Sequence, residues 1–221
     1  MAKGSIATVA LFALLQSAAA HYYFPHLVIN GEKTPEFKYV RDVAPNPDGT
    51  YDDPDGYNGK EAPVYGDFEN TYMTDVRCGR DGAKSASTTE TADIEAGSDL
   101  AFHIKEFNDP QYNNGIFHPG PAQVYMSKSD DLSTDAGDGD WFKIYYLGPS
   151  SDTTWATDRQ VQINFTIPET TPPGTCTPGP TIKIPDDYSV NDPGIGLTTE
   201  GVEFNSGLDK YQPPGPAVWT G

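Results

Sequence analysis

The chain has 221 residues, with 14 Lys and Arg against 32 Asp and Glu, and a formal net charge of −18 at pH 7. Acidity on that scale opposes binding to nucleic acid or to an anionic membrane surface, both of which call for positive charge at the contact. The one strongly apolar run sits near the start and is too short to cross a bilayer, which takes about 20 apolar residues, so a membrane partner is not expected either.

Residues 1–20, MAKGSIATVALFALLQSAAA, put Lys3 before an apolar run and end in small residues, with Ala18 and Ala20 at the spacing of an A-x-A cleavage site. This is the pattern of a secretory signal peptide, so the expected product is secreted, extracellular, and begins at His21. Taken alone, His21 has two readings. It is either whatever residue followed the cut, or a group placed there for its free amine. Residues 21–221 fit one domain, since all-β domains commonly reach about 200 residues, and no repeat or internal linker divides them.

Taken in chain order, helical periodicity is nearly absent. Short alternating or β-branched runs appear as HLVI at Leu27, DLAFHIKEF from Asp99, AQVYMSK from Ala122, WFKIYYLG from Trp141, RQVQINFTI from Arg159 and TIKI from Thr181. Turn clusters at 95–98 and 135–140 separate several of them. Short strands spaced by Gly, Pro and Asp turns predict an all-β sandwich with long loops. Residues 42–67 lack any apolar period and read as a long loop of the functional kind. Residues 194–221 read as a Pro-rich coil wrapped on the domain. Asn164-Phe165-Thr166 is an N-glycosylation sequon, which would put Asn164 at the surface. Two cysteines, Cys78 and Cys176, in an exported chain make one disulfide the default expectation.

Of the four histidines, His103 alternates with Phe102 and Ile104, which places it on the far side of a strand as a surface residue, and His26 reads as structural. His118 differs, because Gly115, Pro119, Gly120 and Pro121 fix the backbone around it just before a predicted strand, a good platform for a metal ligand. An N-terminal histidine can chelate one ion through its α-amine and its ring together, and a second imidazole completes a T of three nitrogens. Divalent copper favours such tetragonal nitrogen sets and stands highest in the affinity series. The amine must lose its proton to ligate, against an unperturbed pKa of about 7.7 to 8.0.

With HYYFPHLVINGE at the expected mature start, VRCG at 76–79, ADIEAGSDLAFHI, FHPGPAQVYMSK, IPDDYSVNDPGI and YQPPGPAVWTG in that order, the chain resembles the fungal copper-dependent lytic polysaccharide monooxygenases of auxiliary activity family 9, formerly glycoside hydrolase family 61. The resemblance implies a fibronectin-like or immunoglobulin-like β-sandwich and a single copper ion held by His21 and His118. It implies oxidative cleavage of cellulose or a related β-glucan by C–H hydroxylation at C1 and/or C4, with an external electron donor and O2 or hydrogen peroxide, by a monomer. Tyr211 matches an aromatic position that the family lays against sugar rings. The residues themselves allow a second role for Tyr211, as the anchor of a Pro-rich coil.

The resemblance breaks after residue 174. Family members continue with a strand resembling YLLRHE and another holding a glutamine, an axial tyrosine and a cysteine, whereas this chain passes through Cys176 straight into the terminal wrap. No residue between Gly174 and Ile182 matches the Gln-x-Tyr pattern, so two core strands and part of the copper site are expected to be missing. The family partner of Cys78 is missing with them, which leaves Cys176 either a substitute partner or an accident of the junction. The alternative function is a secreted copper-binding or polysaccharide-binding protein without turnover. Hydrolysis by paired carboxylates finds no matched acid and base among the many acidic residues.

Overall fold

The structure, a computed structural model, describes residues 22–45, 75–106, 115–116, 120–173, 179–184, 187 and 207–221. The leader 1–20, His21, His118, Cys176 and most of the 42–67 loop lie outside the described residues.

β1 (His26–Ile29) and β2 (Glu32–Lys33) are joined by Asn30 and Gly31, with φ of 49° and 87°. An Asn-Gly pair accepts the left-handed conformation that a two-residue hairpin requires at both central positions, so the hairpin is local in origin. A short helix, α1 (Asp75–Cys78), precedes β3 (Asp99–His103). Then follow β4 (Ala122–Ser127), β5 (Trp141–Leu147), β6 (Pro149–Ser151), β7 (Thr154–Trp155) and β8 (Gln162–Thr166). One antiparallel sheet has the order β2-β1-β3-β8, a second is β4-β5, and β6-β7 is a small hairpin.

The two main sheets face each other across one core. Leu100 of β3 and Phe165 of β8, directly paired, meet Val124 of β4 with Phe142 and Ile144 of β5, and Ile167 closes the cluster. The period-2 reading of β8 holds: Ile163, Phe165 and Ile167 are buried, while Asn164 and Thr166 between them are exposed. The expected all-β sandwich is the observed architecture.

The predicted strand at 181–184 forms a single bridge, in which Ile182 and Trp141 exchange both backbone hydrogen bonds at 2.9 Å. Pro180, just before this stretch, cannot donate a ladder hydrogen bond. Further along the same edge of β5, away from β4, the Trp219 N–H donates to the Lys143 carbonyl at 2.8 Å, so the C-terminal coil occupies part of the edge.

One expectation needs correction. His103 does lie on the opposite face from Phe102, yet it is buried at 8% exposure, because the chain beyond β2 and beyond β3 folds over that face. Alternation told the sides of the strand apart but not which side met water. Cys78 carries a free thiol, and the partner expected for it, Cys176, lies outside the described residues. Its sulfur accepts a hydrogen bond from Arg41 Nη1 at 3.2 Å and donates weakly to the Ala136 carbonyl at 3.8 Å, under the turn that Arg41 clamps through Asp135 at 2.9 Å.

Candidate metal centre

His21 and His118 fall outside the described residues, but Tyr22 after His21, and Ile116 and Gly120 on the two sides of His118, are described. Tyr22, next to His21, packs with Phe24 against a buried trio of Ile104, Ile116 and Ile163, and the two rings meet edge to face at 5.8 Å. Burial pushes the Tyr22 hydroxyl above its ordinary pKa. Ile116 stands two residues before His118, and Ala122, four residues after it, packs on the same trio. The flanks of the two histidines therefore converge on one apolar cluster at the end of the sandwich.

The loop holding His118 is pinned at both ends. On its entry side the Ile116 N–H donates to the Gln160 carbonyl and the Ile116 carbonyl accepts from the Arg159 N–H, each at 2.8 Å. Gly115 has φ 71°, and a Cβ there would lie 2.5 Å from the Arg159 carbonyl oxygen, so this close backbone approach admits only glycine. On its exit side the Thr157 hydroxyl donates to the Gly120 carbonyl at 2.6 Å and accepts from the Gly120 N–H at 3.2 Å. Thr157 is 2% exposed. Arg159, at φ 60°, is a non-glycine residue in the left-handed region beside these anchors, a strained conformation that the surrounding hydrogen bonds hold in place.

Tyr211 lies in an aromatic group, stacked on Tyr146 with centroids 6.5 Å apart and edge-on to Trp155 at 5.0 Å. Its N–H donates to the Leu208 carbonyl. It thereby ties the C-terminal coil to β5 and β7 while remaining half-buried, with part of the ring in solvent. Asn164 is exposed on β8, as a sequon needs. Among the described residues no three His, Cys, Asp or Glu side chains are gathered as a ready metal set.

Neither Thr157 nor Arg159 was singled out by sequence reasoning. Thr157 matters through a contact 37 residues away in the chain, and nothing in the sequence around Arg159 announces its backbone angle.

A family model, Auxiliary Activity family 9 (formerly GH61), matches residues 21–177. The chain belongs to this family. By family it is a lytic polysaccharide monooxygenase, a class that cleaves polysaccharides oxidatively with copper. It is 38% identical to AA9 family lytic polysaccharide monooxygenase U of Thermothielavioides terrestris, covering 99% of this chain and 96% of that one. It is 31% identical to monooxygenase C of Emericella nidulans over all of both chains. Two solved structures share the fold: the crystal structure of HiLPMO9B, at 22% identity and a TM-score of 0.59 over 91% of this chain and 100% of that one, and the extended catalytic domain of H. jecorina LPMO9A, at 20% and 0.56 over 91% and 92%. The alignment with the T. terrestris relative runs over 264 positions, and 264 less the 221 residues of this chain leaves at least 43 positions of the relative with no counterpart here.

Proposed function

We propose that residues 1–20 are removed, that the secreted protein begins at His21, and that it hydroxylates C1 and/or C4 at glycosidic bonds of cellulose or a related β-glucan. His21, through its amine and ring, and His118, through its ring, would hold one copper ion. What supports this reading is the convergence of Tyr22, Ile116 and Ala122 on one buried cluster, which brings the flanks of both histidines to the same end of the sandwich. The family match also starts at His21.

Three nitrogens in a T suit divalent copper and leave positions open for oxygen. When bound, copper would supply activation of O2 or hydrogen peroxide using electrons from an external donor. The chain's own residues supply rigidity and shielding. Thr157 and the Ile116 backbone hold the ends of the His118 loop, the Tyr22 and Phe24 rings close the inner side against water, and Tyr211 offers an aromatic face on which a sugar ring can stack. The Asn164 side chain would carry an N-glycan on the outer face of β8. The test is incubation of copper-loaded protein with cellulose and ascorbate. Mass spectrometry should find oxidised oligosaccharides, and none with His118→Ala.

A second reading, a copper-binding or polysaccharide-binding protein without turnover, has an observation of its own. Among the described residues the second sheet has only β4 and β5, and Ile182 and Trp219 sit where β5 could take a further strand. Groups behind metal ligands orient them and tune the metal, so loss of a glutamine and an axial tyrosine would reduce activity even with both histidines present. Tight copper binding with no oxidised product would favour this reading.

A further inference from the structure

The register between β4 and β5 pairs Val124 with Tyr145 and Tyr125 with Lys143, so Ile144 is an extra residue on β5, a β-bulge. In a regular strand, residues three apart lie on opposite faces. The bulge instead puts Lys143 and Tyr146 on the same one. Phe142 and Ile144 pack in the core, and Tyr145 and Leu147 pack on the Ile104 cluster. Lys143 and Tyr146 turn the other way, and both meet the C-terminal coil.

Lys143 is 1% exposed, and its Nζ donates to the Pro214 carbonyl at 2.7 Å while lying 5.5 Å from the centre of the Tyr125 ring. Tyr125, its cross-strand partner, holds its hydroxyl 3.0 Å from Gln123 Oε1 and 3.4 Å from the same Pro214 carbonyl. Pro214 is buried, and a buried carbonyl needs a donor. Three residues along β5, Tyr146 stacks on Tyr211, which is three residues before Pro214. The coil from Tyr211 to Pro214 therefore runs antiparallel to β5, with one end on each side chain. That short segment is stiff. Proline fixes φ at about −65°, and a residue before proline is driven to extended backbone. Gln212 and Pro213 each precede a proline, and Tyr211 is itself extended, at φ −60° and ψ 129°. A contact that holds Pro214 holds Tyr211 with it.

We propose that Lys143 is a positioning residue for carbohydrate binding: by holding the Pro214 carbonyl, it sets the place and tilt of the Tyr211 ring on which a β-glucan stacks. This rests on the reading of Tyr211 as a sugar-stacking residue. The β5 bulge is part of the device, because without it Lys143 and Tyr146 could not both face the coil.

Binding isotherms of the mature protein on microcrystalline cellulose test the proposal, with copper affinity and thermal midpoint measured alongside. Tyr211→Ala should weaken binding. Lys143→Met keeps the apolar stem and removes the donor; it should weaken binding about fivefold or more, the scale of one aromatic contact, and leave copper affinity unchanged. The double variant should bind no more weakly than Tyr211→Ala alone, because Lys143 acts through that ring. A lysine with only a structural role would lower the thermal midpoint and leave the cellulose affinity of the folded protein as it was. Pro213→Gly, which leaves Lys143 in place and loosens the link, should also weaken binding. Wild-type affinity in folded Lys143→Met, or in Pro213→Gly should Lys143→Met not fold, overturns the proposal while the stacking reading stands, and so do losses that simply add in the double variant. Unchanged binding in Tyr211→Ala overturns the stacking reading and this proposal with it.

Discussion

Thr157 clamps Gly120, two residues after His118, through one buried hydroxyl. It satisfies both backbone groups of Gly120, and replacing it with valine keeps the shape but leaves them unpaired. A polar group left unsatisfied when fully buried costs about 1 to 3 kcal/mol, and for half-buried Gly120 that is the upper end. Thr157→Val should therefore lower the unfolding free energy by that order in a denaturant titration and also weaken copper binding by loosening the His118 loop. Equal copper affinity would separate the clamp from the metal. Cys78 offers a second check at this scale. Burial raises its thiol pKa, and the Arg41 guanidinium only partly opposes that, so little reactive thiolate exists at neutral pH. Native protein should react with iodoacetamide far more slowly than unfolded protein, and rapid labelling of the native form would contradict the packing described for Cys78.

At the scale of elements, what could be foreseen depended on how local the cause was. The alternation of β8 and the turn residues before β3 act within a few positions, and both appear where expected; Gly97, at φ 86°, supplies the left-handed residue of the turn before β3. The Asn-Gly hairpin was also legible in principle. The burial of His103 was not, because it depends on segments far along the chain that cover its face. Nor could residues 181–184 be read as more than a β-rich run, since their single bridge depends on Trp141, some forty residues earlier. An edge-lying groove of about 610 Å³ between β5 and β8 is lined by Leu100, Ile144, Phe165 and Trp219, side chains of the core or packed against it. Strand edges and exposed core invite intermolecular pairing. A version carrying the relatives' additional segment should unfold at a higher temperature and scatter less light on heating than this chain. Indistinguishable behaviour would mean that the C-terminal coil, through Trp219 and Ile182, seals the edge by itself.

For the whole molecule, the proposal joins the expected export signal, the acidity and the histidine at the expected cleavage point: a secreted copper protein whose site would form only once the leader is removed. The sandwich brings together Tyr22 from the start of the chain, Ile116 from its middle and Ile163 from β8, and no stretch of sequence shorter than the whole domain specifies that meeting. Electron paramagnetic resonance of the copper-loaded protein, on material whose intact mass begins at His21, tests the central claim most directly. One tight equivalent with a three-nitrogen signature is predicted, unchanged by His26→Ala and His103→Ala, and lost both in His118→Ala and in a protein with one extra residue before His21. If the extended protein and His118→Ala both keep the wild-type spectrum and affinity, His21 and His118 do not share the metal and the account is wrong.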